Sequence, residues 1–349
     1  MQNNQKQKTS AFKLKLLSNL TLAPEARVNE AVPATQGRFK RFGGLLKKNY
    51  SFFALTNLLS LLFLLPLLVG VAIILFSGIE DFAYKLNGMD KPYLLGGFGI
   101  GLSGGVSVQD IQVKMLWVYQ IIFFIICGGL PIFGIGLAGA LHVSKKFIWQ
   151  ENFITKKDKF GNNIPRITIE FFEGIKKYWK QTVLYTAVYS LFILGFSNLV
   201  ILFIKNIWLN SANAGHYIGL IFGSIAFLIV TGIFINLLPL TVTYDTRIRD
   251  KFKNASILAL SFPVGTFMIA VLIATPFLIT LAGTFGVVIS AVFLVMVGIS
   301  FYALAFVNYS DYLSENILVE LYRQTQTPQH KQRKKQTQGQ GNNHKKKKR

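Results

Sequence analysis

The sequence predicts an all-α, polytopic membrane helix bundle with six transmembrane helices and both termini cytoplasmic. Three observations carry this reading. Of the 349 residues, 52% are hydrophobic and 15% charged, against about a quarter charged in an ordinary soluble domain. Six stretches, 53–79, 116–141, 183–204, 217–243, 256–281 and 284–307, contain no Asp, Glu, Lys or Arg, and a helix needs roughly 20 apolar residues to cross about 30 Å of hydrocarbon. All 37 Lys and Arg lie outside these stretches, 33 in one alternating set of connecting segments and 4 in the other. Basic residues are retained on the cytoplasmic side, so residues 1–52, 142–182, 244–255 and 308–349 are expected inside. The same numbers exclude a disordered chain, a disulfide-rich module (one Cys) and an ordinary soluble enzyme.

Taken in order, residues 1–52 form a basic cytoplasmic segment. Within it Phe12, Leu16 and Leu20 lie at helical spacing, interrupted by Lys13, Lys15, Ser18 and Asn19. That pattern fits an interfacial helix or a basic tail, and not a signal peptide. The six-span membrane domain occupies 53–323. Between Lys253 and Asp311 lie 57 uncharged residues, or roughly 85 Å of helix, too long for one crossing. A break near Gly283 and Gly286 is expected to divide them into a hairpin of two spans. From residue 324 onward the chain is rich in Gln, lacks aromatic residues and ends on a basic run. Such a segment cannot bury a core and is expected to be disordered.

Motifs that carry chemistry are scarce. Gly99–Gly104 and Gly134–Gly139 both match G-x-G-x-x-G, but a dinucleotide site needs that pattern between a strand and a helix, followed by an acid. The second copy lies in a span, where its small residues suit close helix packing, as do Gly219 and Gly223. Cys127 is alone and His142, His216, His330 and His344 are scattered. We therefore expect no catalytic, cofactor-binding or metal-binding residue, no cofactor, and a protein that is not an enzyme.

Three groups of residues remain as candidate sites. Asn57, Gln120, Asn198 and Asn236 are the amides inside the spans; they could line a polar path or, more commonly, bond neighbouring helices. Pro66, Pro131, Pro239, Pro263 and Pro276 also lie in spans, where proline can kink a helix. On the inner segments, Phe171, Phe172, Lys176, Lys177, Trp179 and Lys180, with Asp245, Arg247, Arg249, Lys253 and Asn254, form a candidate partner-docking surface. The repeat of Phe171/Phe172, Ile175 and Tyr178/Trp179 predicts one apolar helical face. Interleaved lysines favour a helix lying at the cytoplasmic interface over a docking face. The tail cations Lys331, Arg333, Lys334, Lys335, Lys345, Lys346, Lys347, Lys348 and Arg349 suit an anionic surface. That surface is either the inner leaflet of the bilayer or ribosomal RNA phosphates, without sequence-specific nucleic-acid recognition; a solvated tail that binds neither is the equal alternative.

Three signatures in order resemble the YesL family, small bacterial integral membrane proteins of unknown biochemical activity. The first is Leu130-Pro131-Ile132-Phe133-Gly134-Ile135-Gly136 followed by Ala138-Gly139-Ala140-Leu141 and Lys145-Lys146-Phe147. The second is Phe171-Phe172, Lys176 and Trp179-Lys180-Gln181. The third is Leu238-Pro239-Leu240, Tyr244-Asp245, Phe252-Lys253-Asn254-Ala255, Leu258-Ala259-Leu260 and Pro263. The resemblance covers about residues 116–322. Leu137 departs from it, since family members usually carry proline there. The resemblance implies a bacterial plasma-membrane protein with an accessory role in carbohydrate uptake or utilisation, and sugar-transporter subunits as partners. Two other expectations stand beside it: a small-solute transporter or channel using the amides, and a membrane-biogenesis factor contacting ribosomes through the tail.

Overall fold

A computed structural model describes residues 38–76, 108–157, 163–209, 211–280 and 284–313. The described chain is an all-α bundle with one small hairpin. A short helix, α1 (Arg38–Lys48), leads into α2 (Tyr50–Phe76) and then α3 (Val108–Trp149). Strands β1 (Thr155–Lys157) and β2 (Asn163–Pro165) pair antiparallel, with Lys156 opposite Ile164. Next come α4 (Ile167–Trp208), α5 (Ala214–Thr243), α6 (Ile248–Ser261), α7 (Pro263–Thr280) and α8 (Thr284–Phe293). A π-helical turn, Leu294–Gly298, joins α8 to α9 (299–313).

Five helical segments are long and apolar enough to cross a membrane: Tyr50–Gly70, Tyr119–Trp149, Ile167–Ile207, Ala214–Thr243 and Val288–Leu313. The α6–α7 pair qualifies as a sixth if counted as one span bent by 98°. The exterior agrees with that reading. Leu58, Leu62, Leu191, Phe222, Phe267 and Val288 are all more than half exposed, whereas soluble proteins rarely expose large contiguous apolar patches. α5 has no polar stripe at all, as expected of a helix surrounded by apolar medium.

The helices do not stop where the charge-free windows stop. α3 and α4 each run 42 residues, about 63 Å against about 30 Å of hydrocarbon, so both project well beyond the bilayer. The stretch 142–182, expected as a connecting segment with a helix only around Phe171–Trp179, is instead the ends of α3 and α4 joined by the β1–β2 hairpin. α3 terminates at Gln150, whose φ of 53° is left-handed, a common way for a helix to end. The hairpin is fastened back by Arg166 N–H to Ile154 O at 2.7 Å.

The hairpin break expected within 254–310 falls between α7, which ends at Thr280, and α8, which starts at Thr284. Gly286 lies inside α8, and Gly283 is outside the described residues. A second bend, of 98° and not expected, falls earlier at Phe262, so the expected span 256–281 is two elements. Pro263 has no N–H and is pre-set for a first helical position; it opens α7 there, while α6 turns away. α7 then runs antiparallel to the last helical segment. Thr266 Oγ1 meets Tyr309 OH at 3.1 Å, Tyr302 OH donates to Ile273 O, and Ser290 Oγ donates to Pro276 O at 2.7 Å.

Close approach of α3 to its neighbours is set by Gly134, Gly136 and Gly139. A Cβ at Gly134 would collide with Thr186 of α4, one at Gly136 would sit 3.0 Å from the Phe63 ring of α2, and one at Gly139 2.6 Å from the Phe171 ring. The packing role expected for this glycine run is therefore what the fold uses. Of the Gly219/Gly223 pair, Gly223 approaches Leu199 while Gly219 faces open space. α4 and α5 are joined by stacked rings, Tyr189 on Phe234 at 4.1 Å and Phe196 on Phe227 at 4.4 Å. Asn213 and His216 form a reciprocal capping box at the start of α5.

The core lies at one end. In α5 the buried residues are Gly232 and Ile235–Thr243, the C-terminal part alone. The main cluster gathers Phe53, Leu141, Ile148, Phe171, Leu238 and Leu304 from five helices. α1 closes this end: Arg41 Nη2 donates to Ile148 O, the C-terminus of α3, and Nη1 lies 3.9 Å from Asp311 of α9.

Candidate functional site

The described parts of the four segments expected on one side of the membrane meet at this same end of the bundle. Arg41 joins α1, α3 and α9. Lys251 Nζ of α6 donates to Gln181 Oε1 of α4 at 2.8 Å, and the Phe252 and Tyr185 rings meet edge-to-face. The basic end is thus a packed module of helix ends, not a set of separate loops.

That packing divides the expected docking residues. Phe171 is fully buried, between Gly139 and the rings of Phe63 and Phe172. Asn254 is buried on α6. Neither belongs to an accessible surface. The helix expected to lie along the membrane interface is the first part of α4, and its apolar stripe (Phe171, Ile175, Tyr178) faces the protein core. Periodicity identified the stripe correctly, but α3 supplies the apolar partner that lipid was expected to provide. The opposite stripe stays outside: Phe172 is 50% and Trp179 41% exposed, with Lys176, Lys177 and Lys180 exposed beside them. Lys180 Nζ sits 5.8 Å from the Trp179 ring, a cation–π distance. Asp245, Arg247, Arg249 and Lys253 are exposed on the neighbouring turn and α6.

The four amides do not gather in one place. Gln120 Nε2 donates to Asn198 Oδ1 at 2.8 Å, tying α3 to α4. Asn236 Nδ2 donates to Gly232 O at 2.8 Å and reaches Thr266 Oγ1 at 3.5 Å. Asn57, with no exposure, serves the π-helical turn: its Nδ2 donates to Leu294 O and Val295 O at 2.9 and 2.6 Å, while its Oδ1 accepts from the N–H groups of Ile299 and Ser300 at 2.8 and 3.3 Å. A π turn interrupts the regular i→i−4 ladder, and one side chain bonds the backbone groups on both sides of the interruption. Of the two roles the sequence allows these amides, bonding is the one observed, at three separate places and not along one shared path.

A cluster that the sequence did not reveal lies at the seam between the projecting ends of α3 and α4. Glu170, fully buried, accepts from Lys146 Nζ at 2.6 Å through Oε2 and from Ile154 N–H at 2.7 Å through Oε1. His142 Nε2 lies 3.7 Å from the same Oε2. Gly174 makes this possible, since a Cβ there would stand 2.5 Å from His142 Cβ. Glu173 follows Glu170 by three residues, and the ligand atoms of His142, Glu170 and Glu173 lie within 4.8 Å of one another. Lys145 pairs separately with Glu151 at 3.1 Å. The only sequence signal was a histidine just past an apolar run and two glutamates one helical turn apart.

The first glycine motif, the segment 11–22 and the tail cations Lys331–Arg349 lie outside the described residues. Fold and surface together define a multi-pass membrane protein with a packed, basic end. Compared with family models, curated proteins and solved structures, the chain finds no match.

Proposed function

We propose that the protein is a non-enzymatic accessory subunit of the bacterial plasma membrane that docks a carbohydrate-uptake transporter through its basic, cytoplasmic end. One contrast supports this most. The spans hold their amides in bonds to backbone or to each other, which leaves little for a solute to follow. The exposed stripe Phe172, Lys176, Trp179 and Lys180 on α4 is by contrast preformed on a rigid helix. Exposed aromatic side chains are the anchors that interface cores favour, and flanking charges suit the polar rim around them. The YesL-like signatures, two of which map onto this end of the bundle, supply the association with sugar uptake. A transporter or channel in its own right is the weaker reading for the same reason, and the ribosome-contacting reading rests on the tail alone.

The test is photocrosslinking in living cells with a photoreactive residue replacing Phe172 or Trp179. A discrete adduct with a transporter subunit, lost on charge reversal of Lys176 and Lys180, is expected. Adducts with lipid alone, across sugars and growth conditions, would sink the docking reading.

A further inference from the structure

We propose that His142, Glu170 and Glu173 form a site for one divalent cation of the zinc class at the seam between α3 and α4. Several observations converge. His142 is 95% buried yet neither ring nitrogen has a hydrogen-bond partner, an arrangement that is costly unless something outside the chain satisfies it. Neutral imidazole is the commonest protein metal ligand. Its Nε2 already stands 3.7 Å from Glu170 Oε2. Two ligands at about 2.1 Å from a tetrahedral zinc are separated by about 3.4 Å, so a small rotation closes the pair on one ion.

The rest of the constellation fits. Glu170 and Glu173 are one turn apart on one face of α4, a spacing that brings both side chains to the same place. Ile154 N–H fixes the Glu170 carboxylate through its other oxygen, the orienting contact that metal ligands ordinarily have. Glu173 is exposed, giving an entry path and leaving the solvent side for a water as fourth ligand. One imidazole and two carboxylates match zinc; Ca²⁺ and Mg²⁺ favour all-oxygen ligand sets, which the imidazole nitrogen at the centre of this one does not provide.

Lys146 is the competitor. Its ammonium holds Glu170 Oε2 at 2.6 Å and also reaches Asn152 O at 3.4 Å. A cation entering the site displaces it toward that carbonyl. The lysine thereby distinguishes a metal site from a buried ion pair, because removing it should help the metal. This inference does not rest on the docking reading.

The experiment uses the full chain, purified with any affinity tag removed and treated with chelator, titrated with Co²⁺ and followed by visible absorption. One equivalent is expected to give the strong bands of a four-coordinate site, and Zn²⁺ to abolish them. Glu173→Gln, a change at an exposed position, should weaken binding by at least about tenfold, since even loss of a group that only orients a ligand costs about that much. Lys146→Met should tighten it. Absence of the bands overturns the proposal. So does binding that survives both Glu173→Gln and His142→Gln unchanged, since the ion is then held elsewhere, and so does weaker binding in Lys146→Met.

Discussion

Removing the Asn57 carboxamide strands backbone groups that lie in a nonpolar surrounding. Its two donors and its acceptor engage Leu294, Val295, Ile299 and Ser300, and each buried polar group left without a partner costs about 1–3 kcal/mol. Asn57→Ala or Asn57→Leu should therefore lower the thermal unfolding midpoint in detergent by several degrees. An unchanged midpoint would show that the turn can relax into regular α-helix without that side chain. At this scale the sequence was only partly readable. An asparagine in an apolar run announces a hydrogen bond, but its partner is a backbone irregularity far along the chain, which composition does not encode. His142 and Glu170 pose the same problem, because they meet only once α3 and α4 pair antiparallel.

Along whole elements, charge and hydropathy located the apolar spans well, since lysine and arginine are expensive in hydrocarbon. They misjudged helix ends, because a helix that leaves the bilayer gains water for its side chains and has no reason to unwind. Hence Lys145 and Lys146 lie in α3, and the residues before Val183 lie in α4. The fit of these two helices depends on Gly139 lying under Phe171. A larger residue at Gly139 must push that ring, 2.6 Å from the added Cβ. Gly139→Ala should cost about 1–3 kcal/mol, and Gly139→Leu should block assembly into a monodisperse particle in detergent. Phe171→Ala alone leaves a cavity and is also destabilising. Combined with Gly139→Ala, the two losses should be clearly less than additive, as expected for residues in direct contact. Strict additivity by thermal unfolding would mean that the helices separate instead of repacking.

For the molecule as a whole, the contact between Arg41 of α1 and Asp311 of α9 sets a parity condition. Both described ends of the chain are at the same end of the bundle, so the number of crossings between them is even. Five long segments alone would put the ends on opposite faces; α7, about 27 Å long, must therefore carry the chain back across before α8. The opposite end then holds the α4–α5 connection at Ser211 and the end of α7 at Thr280, while the hairpin at Ile164 and α6 at Arg249 share the basic end. Cys127, the single cysteine, is buried and can be replaced by Ser to give a blank background. In intact cells, a thiol reagent that does not cross the bilayer should then modify Ser211→Cys and Thr280→Cys. Ile164→Cys and Arg249→Cys should react only after permeabilisation. Labelling of position 211 without 280 would make α6–α7 a re-entrant hairpin that never reaches the far side. Labelling of 164 and 249 from outside would turn the bundle over and put the basic end, with its docking stripe and cation site, outside the cell.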